Sequence, residues 1–135
     1  MKIYFAASIR GGRQDKDLYA QVIPLLEKFG TVLTEHVANS GLTNMGEDLP
    51  SEFIYNRDMA WLKESDVVVA EVTQPSLGVG YELASAENMG KKVLCIYRNG
   101  GSLSAMIGGN KNLLKKSYTT VADLNTIFEE FFSSM

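Results

Sequence analysis

The sequence predicts an α/β domain in which five parallel strands lie between two layers of helices, and three observations lead to this fold class. The chain has 135 residues, of which 45% are hydrophobic and 21% charged, as is usual for one globular domain. Short apolar runs alternate with segments of helical period along its length. Residues 66–71 read Asp-Val-Val-Val-Ala-Glu, as expected of a central strand that is buried on both faces.

The first half of the chain predicts two strands and two helices. Residues 2–6 form a short, almost wholly apolar strand. Residues 15–29 form a helix, because apolar side chains recur at i, i+4 and i+7, and Gly30 is expected to end it. Residues 31–34 form the second strand. A polar loop follows, and the second helix covers residues 51–64.

The second half continues the alternation after the central strand. A turn leads into a helix at residues 79–89, which Gly90 follows. Residues 92–97 are apolar and form the fourth strand. After a glycine-rich loop with a short apolar insert, residues 117–120 form the fifth strand. The chain closes with an amphipathic helix at residues 121–132.

This order of elements predicts where a ligand binds. It is typical of a Rossmann-like or flavodoxin-like three-layer sandwich, for which we expect the strand order 2-1-3-4-5. Ligands of such folds bind beyond the carboxyl ends of the strands, where the strand order reverses. The segments to search are therefore residues 7–13, 72–82 and 98–107, which follow the first, third and fourth strands.

Charge and cysteine content argue against several classes of protein. The 13 basic and 16 acidic residues give a net charge of −3, which does not suit a nucleic-acid polymer as partner. Cys95 is the only cysteine, and its apolar neighbours predict a core thiol in a reducing compartment. With one histidine as well, a dedicated structural zinc site is not expected. We expect no metal and no cofactor. No apolar run is long enough for a membrane span and no signal peptide is evident, so we expect a cytoplasmic protein, also nuclear in a eukaryote.

The first candidate site is the segment after the first strand, residues 8–13, which read Ser-Ile-Arg-Gly-Gly-Arg. Backbone N–H groups, glycines and two arginines at a strand-to-helix junction favour the binding of an anion. The segment lacks the Gly-Lys-Ser/Thr ending of a Walker A loop and does not match Gly-x-Gly-x-x-Gly. The alternative is a glycine loop whose arginines are merely solvated.

The second candidate site is residues 73–82, which follow the central strand and lead into a helix. Ser76 and the amides near Gly78 lie where the N-terminus of that helix meets the ligand crevice, and both favour phosphate. Glu82 is expected in the first turn, facing the crevice if the helix begins near Gly78. A glutamate there is also a common helix-dipole residue, so both interpretations stay open.

Three further side chains are candidates. Asp58 lies midway along the second helix, where an acid is usually on a solvated face, but its apolar neighbours make a partly buried acid the alternative. Tyr4 is a core residue whose buried hydroxyl needs a partner, and a catalytic carboxylate is one such partner. His36 either touches a ligand or is an incidental loop residue. Two acids and an anion cradle suggest a phosphorylated sugar as substrate, because glycoside cleavage needs two carboxyl roles.

These motifs resemble the nucleoside 2-deoxyribosyltransferase superfamily, and within it the hydrolases of 2′-deoxynucleoside 5′-phosphates. The similarity also includes Tyr4-Phe5, Leu-Thr-Glu-His-Val at residues 33–37 and Leu-Ser-Ala-Met-Ile at residues 103–107, and it is most specific in residues 66–83. It implies one deoxyribosyltransferase-like domain over residues 1–135. The implied reaction cleaves the N-glycosidic bond of a deoxynucleoside 5′-monophosphate to 2-deoxyribose 5-phosphate and a free base.

The resemblance also implies roles for individual residues. Glu82 is expected to be the nucleophile of a retaining reaction, Asp58 to assist as acid or base, and Tyr4 to position Glu82. Ser104 is expected to reach the phosphate site of the neighbouring subunit in a homodimer, so that activity depends on dimerisation. The expected substrate contacts are Ala7, Ser8, Ile9, Arg10, Gly11, His36, Ser76, Gly78, Ser104 and Met106.

One position departs from the family pattern, because relatives carry glycine where this chain has Ala7. A methyl group near the ligand alters the fit of the base and leaves the type of reaction unchanged. Ile9 and His36 are expected near the base or the sugar.

Other functions stay open from the sequence. A deoxyribosyltransferase that passes the sugar to another base shares the covalent intermediate, although Arg10 and Ser76 favour a phosphorylated substrate. A nucleotide-binding module without catalysis does not need Tyr4, Asp58 and Glu82 together. A flavodoxin-like carrier shares the sheet but explains neither acid.

Overall fold

Within the described residues, five parallel strands form one sheet. The computed structural model describes residues 1–8, 13–34 and 49–135, with the backbone alone at 13–15. The strands are β1 (Lys2–Ala6), β2 (Thr31–Val32), β3 (Val67–Glu71), β4 (Lys92–Arg98) and β5 (Leu114–Tyr118), and the helices are α1 (Arg13–Glu27), α2 (Ser51–Glu64), α3 (Leu77–Asn88), α4 (Ala105–Gly108) and α5 (Val121–Ser133). The sheet order is β2-β1-β3-β4-β5 and every pairing is parallel, which confirms the predicted fold class and strand order.

Alternate side chains of the strands pack into two cores, one on each face of the sheet. On β1, Ile3 and Phe5 join α1 and α5 in one core, whereas Tyr4 and Ala6 join α2 and α3 in the other. Every residue of β3 is buried, as predicted for the central strand. The position of a residue along β1 therefore decides which layer of helices its side chain meets, and Tyr4 meets α2 and α3.

Cys95 lies in β4 and belongs to the core beneath α2 and α3. Its side chain is fully buried, which confirms the predicted core thiol. Burial raises the pKa of this thiol to about 11. The sulfur therefore stays protonated at neutral pH, and a protonated thiol is a poor nucleophile.

The second strand is shorter than the predicted residues 31–34, because a side chain replaces the backbone in the pairing. The hydroxyl of Thr34 donates to the carbonyl of Phe5 at 2.7 Å and accepts from the N–H of Phe5 at 2.8 Å. These two bonds satisfy the main chain of β1 without a further β2 residue. The ladder of β2 consequently ends at Val32.

The prediction of the fifth strand at residues 117–120 is wrong in its bounds, since β5 ends at Tyr118. Thr120 instead caps α5: its side chain accepts from the amide of Asp123, whose own side chain accepts from the amide of Thr120. At its other end β5 starts with exposed, lysine-containing sequence at the edge of the sheet, where the apolar signal of a strand is weak.

The helices follow the predicted order with shifted ends. α2 has the predicted bounds, whereas α3 begins at Leu77, two residues early, because Ser76 supplies its N-cap. α4 forms within the predicted glycine-rich loop, at the apolar insert. None of the helices in the described ranges combines the length and apolar character that crossing a membrane requires.

The glycine after α1 has a different role from the predicted helix cap. A Cβ on Gly30 would lie 2.3 Å from the carbonyl oxygen of Met1, and that carbonyl accepts from the N–H of Thr31. Gly30 therefore allows the first residue of the chain to approach the start of β2. Gly90, after α3, does adopt the left-handed conformation of a helix-terminating glycine, with φ of 73°.

Candidate active site

A cavity of about 680 Å³ opens at the carboxyl ends of β1 and β3, between α2 and α3. This edge is where parallel α/β sheets bind their ligands. The cavity is lined by Tyr4, Phe5, Ala6, Ala7, Ser8, Thr34, Ile54, Tyr55, Asp58, Met59, Pro75, Ser76, Leu77, Gly78, Val79, Tyr81 and Glu82.

Tyr4, Asp58 and Glu82 meet in this cavity although they come from β1, α2 and α3. Tyr4 is 1% exposed, and its hydroxyl hydrogen-bonds to the carboxylate of Glu82. The charge of Asp58 acts on both of these groups. The partner of the buried Tyr4 hydroxyl is thus a carboxylate of the cavity, as the sequence predicts.

The prediction that Glu82 lies in the first turn of its helix is wrong. α3 begins at Leu77 and has no acidic residue in its first turn. Glu82 lies one turn further along, where the helix dipole acts weakly. A role as a helix-dipole residue therefore does not explain why Glu82 lies in the cavity wall.

The surroundings of Glu82 shift its pKa strongly. Desolvation raises the pKa of this carboxyl to about 7, while the hydrogen bond from Tyr4 lowers it and the charge of Asp58 raises it. Burial and the nearby Glu82 carboxylate raise the pKa of Tyr4 far above its ordinary value, so the phenol remains a hydrogen-bond donor. A carboxyl group that titrates near neutral pH in a cavity is suited to catalysis.

Asp58 is held at the cavity wall by its neighbour in the sequence. The Nε and Nη2 atoms of Arg57 lie 3.0 and 2.9 Å from Oδ1 of Asp58. The guanidinium itself lies over the rings of Phe53 and Trp61, 5.8 and 4.9 Å from their centroids. The side chain of Asp58 is 24% exposed, which confirms the alternative of a partly buried acid.

The N-terminus of α3 borders the cavity next to Glu82. Ser76 caps the helix, and its Oγ accepts from the N–H of Val79 at 3.2 Å. A Cβ on Gly78 would lie 3.8 Å from Oε1 of Glu82 and 3.9 Å from Oγ of Ser76. The absent side chain of Gly78 therefore leaves open space between the cap and the carboxylate, whereas a Cβ on Gly80 would meet nothing within 4 Å.

The segment after β1 lies only partly within the described residues. Ala7 and Ser8 line the cavity, and the side chain of Ser8 is buried. The predicted substrate contacts outside the described residues are Ile9, Arg10, Gly11 and His36.

Ser104 and Met106 are not among the described residues that line this cavity. Ser104 caps α4, and its Oγ accepts from the N–H of Met106 at 3.3 Å. Met106 is 85% exposed. The fold of this chain therefore does not bring these two residues into the cavity with Glu82.

Several residues of the cavity wall are not among the predicted site residues. Ile54 and Asp58 are four residues apart on α2, so the helical period could have placed both on one face. Thr34 carries a weaker signal, as a polar residue that ends an apolar strand. Tyr55 and Tyr81, whose hydroxyl oxygens lie 3.5 Å apart, look like ordinary surface residues in the sequence.

The fold and the cavity place this chain in the class of α/β proteins that bind a small ligand at the carboxyl edge of a parallel sheet. The nucleoside 2-deoxyribosyltransferase family profile matches residues 3–128. The chain belongs to this family, which confirms the resemblance drawn from the sequence.

Individual relatives agree with this assignment. The 5-hydroxymethyl-dUMP N-hydrolase of Esox lucius is 50% identical over 142 aligned positions, covering 100% of this chain and 98% of the relative. That of Tetraodon nigroviridis is 50% identical over 141 positions, covering 99% of each. Among solved structures, a CMP N-glycosidase of Clostridium botulinum has a TM-score of 0.70 at 19% identity, covering 96% of this chain and 99% of that one. At that identity the likeness shows a shared fold.

Proposed function

We propose that this protein hydrolyses the N-glycosidic bond of 2′-deoxynucleoside 5′-monophosphates, releasing 2-deoxyribose 5-phosphate and the free base. The observation that carries the proposal is the cluster of Tyr4, Asp58 and Glu82 beside the N-terminus of α3. The cluster offers two carboxyl groups for glycoside cleavage, and the helix N-terminus offers a site for the phosphate. The family and the relatives named 5-hydroxymethyl-dUMP N-hydrolase support the same type of reaction.

In the proposed reaction, ionised Glu82 attacks the anomeric carbon on the face opposite the base. A carbon–oxygen bond forms while the carbon–nitrogen bond breaks, and the base leaves with the bonding electron pair and takes up a proton. Water then attacks the same carbon, frees the carboxylate and restores the configuration, so the reaction is retaining. Because a 2-deoxy sugar lacks the electron-withdrawing 2-hydroxyl, one carboxylate suffices to stabilise its oxocarbenium-like transition state.

Asp58 and Tyr4 take supporting roles in this scheme. Asp58 acts as acid or base toward the leaving base and the attacking water, and Arg57 keeps its carboxylate in place. Tyr4 is a positioning residue, since its hydroxyl bonds to Glu82 and orients the nucleophile. The same bond favours the ionised form of Glu82, which raises the fraction of reactive enzyme at neutral pH.

The phosphate is proposed to bind nearest Ser76, Gly78 and Ser8, and Arg10 and Gly11 are further proposed substrate contacts. Ser76 is the cap of α3, where the helix dipole and free amides favour an anion. The phosphate is remote from the broken bond, so its binding energy orients the sugar toward Glu82. The base and sugar are proposed to lie against the remaining predicted contacts Ala7, Ile9 and His36.

A product assay tests the reaction. The panel begins with 5-hydroxymethyl-dUMP and continues through other deoxynucleoside monophosphates, with ribonucleotides and unphosphorylated deoxynucleosides as controls. We expect free base and 2-deoxyribose 5-phosphate from at least one monophosphate, and a collapse of activity without the phosphate. Equal rates on a nucleoside and its monophosphate would count against the phosphate site.

Glu82→Ala tests the nucleophile. The variant is expected to lose hydrolysis while its circular dichroism spectrum stays that of the wild type. Turnover retained by the folded variant would refute the assignment of Glu82.

A second candidate function is transfer of the deoxyribosyl group to another base, which the description of the matched family favours. Both reactions share the covalent intermediate and differ in whether water or a base resolves it. Adding a second free base to the assay separates them, because transfer produces a new nucleotide and hydrolysis does not.

We further propose that the protein is a homodimer in which Ser104, with Met106 beside it, completes the phosphate site of the neighbouring subunit. Leu77 and Met106 are 97% and 85% exposed, and the rings of Tyr55 and Tyr81 at the cavity rim are about half exposed. Leu77, Tyr55 and Tyr81 line the same cavity, so their exposed faces form one apolar patch at its rim, and such a patch is typical of an interface. A cytoplasmic location, also nuclear in a eukaryote, stays a prediction that cell fractionation tests.

A further inference from the structure

A second buried carboxylate lies at the same edge of the sheet, outside the cavity. Glu71 ends β3 and is 4% exposed. A buried carboxylate is costly unless hydrogen bonds compensate the loss of water. Its Oε1 accepts from the N–H of Thr73 at 2.7 Å, and its Oε2 accepts from the hydroxyl of Thr73 at 2.9 Å and from the hydroxyl of Tyr118.

Thr73 connects this carboxylate to the neighbouring strand. Its hydroxyl donates to Glu71 and also accepts from the N–H of Arg98 at 2.9 Å. The segment that leaves β3 is therefore fixed at Thr73 to the ends of both β3 and β4. Ser76, the cap of α3, follows only three residues later, and Pro75 restricts the backbone between them.

The other side of the cluster holds the loop that leads to α4. Tyr118 ends β5, and its carbonyl accepts from the N–H of Asn99 at 2.8 Å. Burial and the Glu71 carboxylate raise the pKa of Tyr118, which keeps its hydroxyl protonated as a donor. A Cβ on Gly101 would lie 3.9 Å from the methyl group of Thr73. The loop that carries Ser76 and the loop that carries Ser104 thus both contact the cluster of Glu71, Thr73 and Tyr118.

We infer that Glu71 is a positioning residue, which sets the place of the loop between β3 and α3 and thereby of the phosphate site at Ser76. The inference rests on the proposed function in one respect, namely that a phosphate binds at this helix N-terminus. Glu71 does not line the cavity, so it acts through Thr73 and not on the substrate. Its loss should weaken binding of the phosphate and leave the chemistry at Glu82 largely intact.

Two substitutions test this role, and a third serves as a matched control. Glu71→Gln keeps the size of the side chain but places an amide donor against hydroxyl groups that now donate to it. Thr73→Val keeps the shape and removes the hydroxyl bridge to Arg98, and it decides the question if Glu71→Gln does not fold. Glu87→Gln makes the same charge change on α3, where Glu87 accepts from the side-chain amides of Asn110 and Asn112.

Three measurements are made on the full chain: steady-state kinetics on the monophosphate that the wild type cleaves fastest, the Kd for 2-deoxyribose 5-phosphate, and amide hydrogen exchange of residues 73–80. Glu71→Gln and Thr73→Val are expected to raise KM and Kd about tenfold, with kcat changed less than about threefold. Exchange of residues 73–80 should become faster, and Glu87→Gln should change none of these.

A lower kcat at unchanged KM, or unaltered exchange in residues 73–80, would overturn the inference, since a purely structural defect only reduces the active fraction. A wild type that cleaves no member of the substrate panel would instead refute the proposed function. In that case the exchange measurement still decides whether Glu71 fixes the loop.

Discussion

Two neighbours of Glu82 act on its pKa in opposite directions. The hydrogen bond from Tyr4 lowers this pKa and the charge of Asp58 raises it, on top of the larger effect of desolvation. A nucleophilic carboxylate must be ionised, so kcat/KM should rise with pH as Glu82 loses its proton near pH 7. Desolvation therefore sets most of the lower limit of the working pH range, and the two neighbours shift that limit in opposite directions.

Tyr4→Phe and Asp58→Asn are expected to move this limit in opposite directions. Removing the hydrogen bond raises the pKa of Glu82 and shifts the acidic limb of the kcat/KM profile to higher pH. Removing the charge of Asp58 shifts the limb to lower pH, while loss of its acid–base role lowers kcat by about a hundredfold or more. Profiles measured between pH 5 and pH 9 check both shifts, and shifts of the same sign would contradict the arrangement.

The same carboxyl group makes stability depend on pH. Between its ordinary pKa of 4.5 and the folded value of about 7, the folded chain keeps a proton that the unfolded chain has lost, so stability falls as pH rises through this window. Glu82→Gln should therefore raise the free energy of unfolding by roughly 2–4 kcal/mol at pH 8 and leave it unchanged at pH 4. Urea denaturation at the two pH values measures the difference.

The exposed substitution Glu129→Gln, on α5, provides the control for this measurement. An equal effect of Glu82→Gln at both pH values would show that the charge of Glu82 is not the cause.

Sequence reasoning finds single residues where local chemistry alone requires a partner. A tyrosine in an apolar strand needs a hydrogen bond, so Tyr4 could be connected with a carboxylate. Arg57 could not be connected with Asp58 and two aromatic rings, because these contacts depend on side-chain conformations that no spacing in the sequence records. Glu71 was likewise hidden, since its partner Tyr118 is 47 residues away.

At the scale of elements, the first turn of α3 is where the proposed phosphate site can be tested apart from the stability of the helix. A methyl group on Gly78 has room in the folded chain but would occupy the space between Ser76 and Glu82. Under the proposed function this space belongs to the substrate, so the glycine would be needed for binding and not for the backbone, and Gly80 in the same turn offers the comparison.

Gly78→Ala is expected to abolish most of the activity while stabilising the chain by about 0.5–1 kcal/mol, because alanine favours the helix. Gly80→Ala should give a similar stabilisation and retain activity, since its methyl group meets nothing within 4 Å. Thermal melting measures the change in stability, and the product assay measures the change in activity. Full activity of Gly78→Ala would contradict the proposed place of the substrate.

The existence and order of the elements could be predicted, whereas some of their ends could not. Buried parallel strands appear in a sequence as apolar runs, so the sequence predicts β1, β3 and β4. The ends of β2 and β5 depend on the hydroxyl of Thr34 and on the cap formed by Thr120, and both are side-chain hydrogen bonds that compete with strand pairing. Propensity averaged along the sequence does not detect such bonds.

At the scale of the whole molecule, the proposed shared site makes a quantitative prediction. Glu82→Ala and Ser104→Ala subunits are each expected to be inactive or nearly so as homodimers. In a mixed dimer, one pocket combines the intact Glu82 of one subunit with the intact Ser104 of the other. Each mixed dimer that forms when the two variants are unfolded and refolded together should therefore have up to about half of the activity of a wild-type dimer.

Mixing without recovery would show that each subunit works alone and would remove the shared site. Refolding each variant by itself controls for losses during the procedure. Sedimentation of the wild type, compared with Met106→Asp, reads the oligomeric state directly, because a charge on this exposed side chain should weaken an apolar interface.

The shielded sulfur in β4 has a practical consequence for all of these experiments. Cys95 is the chain's single cysteine and is fully buried, so a thiol reagent modifies it only when the molecule opens. The rate of its alkylation thus reports global unfolding with no added probe. A cysteine introduced at Thr126, which is exposed on α5, would take a spin or fluorescent label alone, and distances between labels would then test the proposed homodimer in solution.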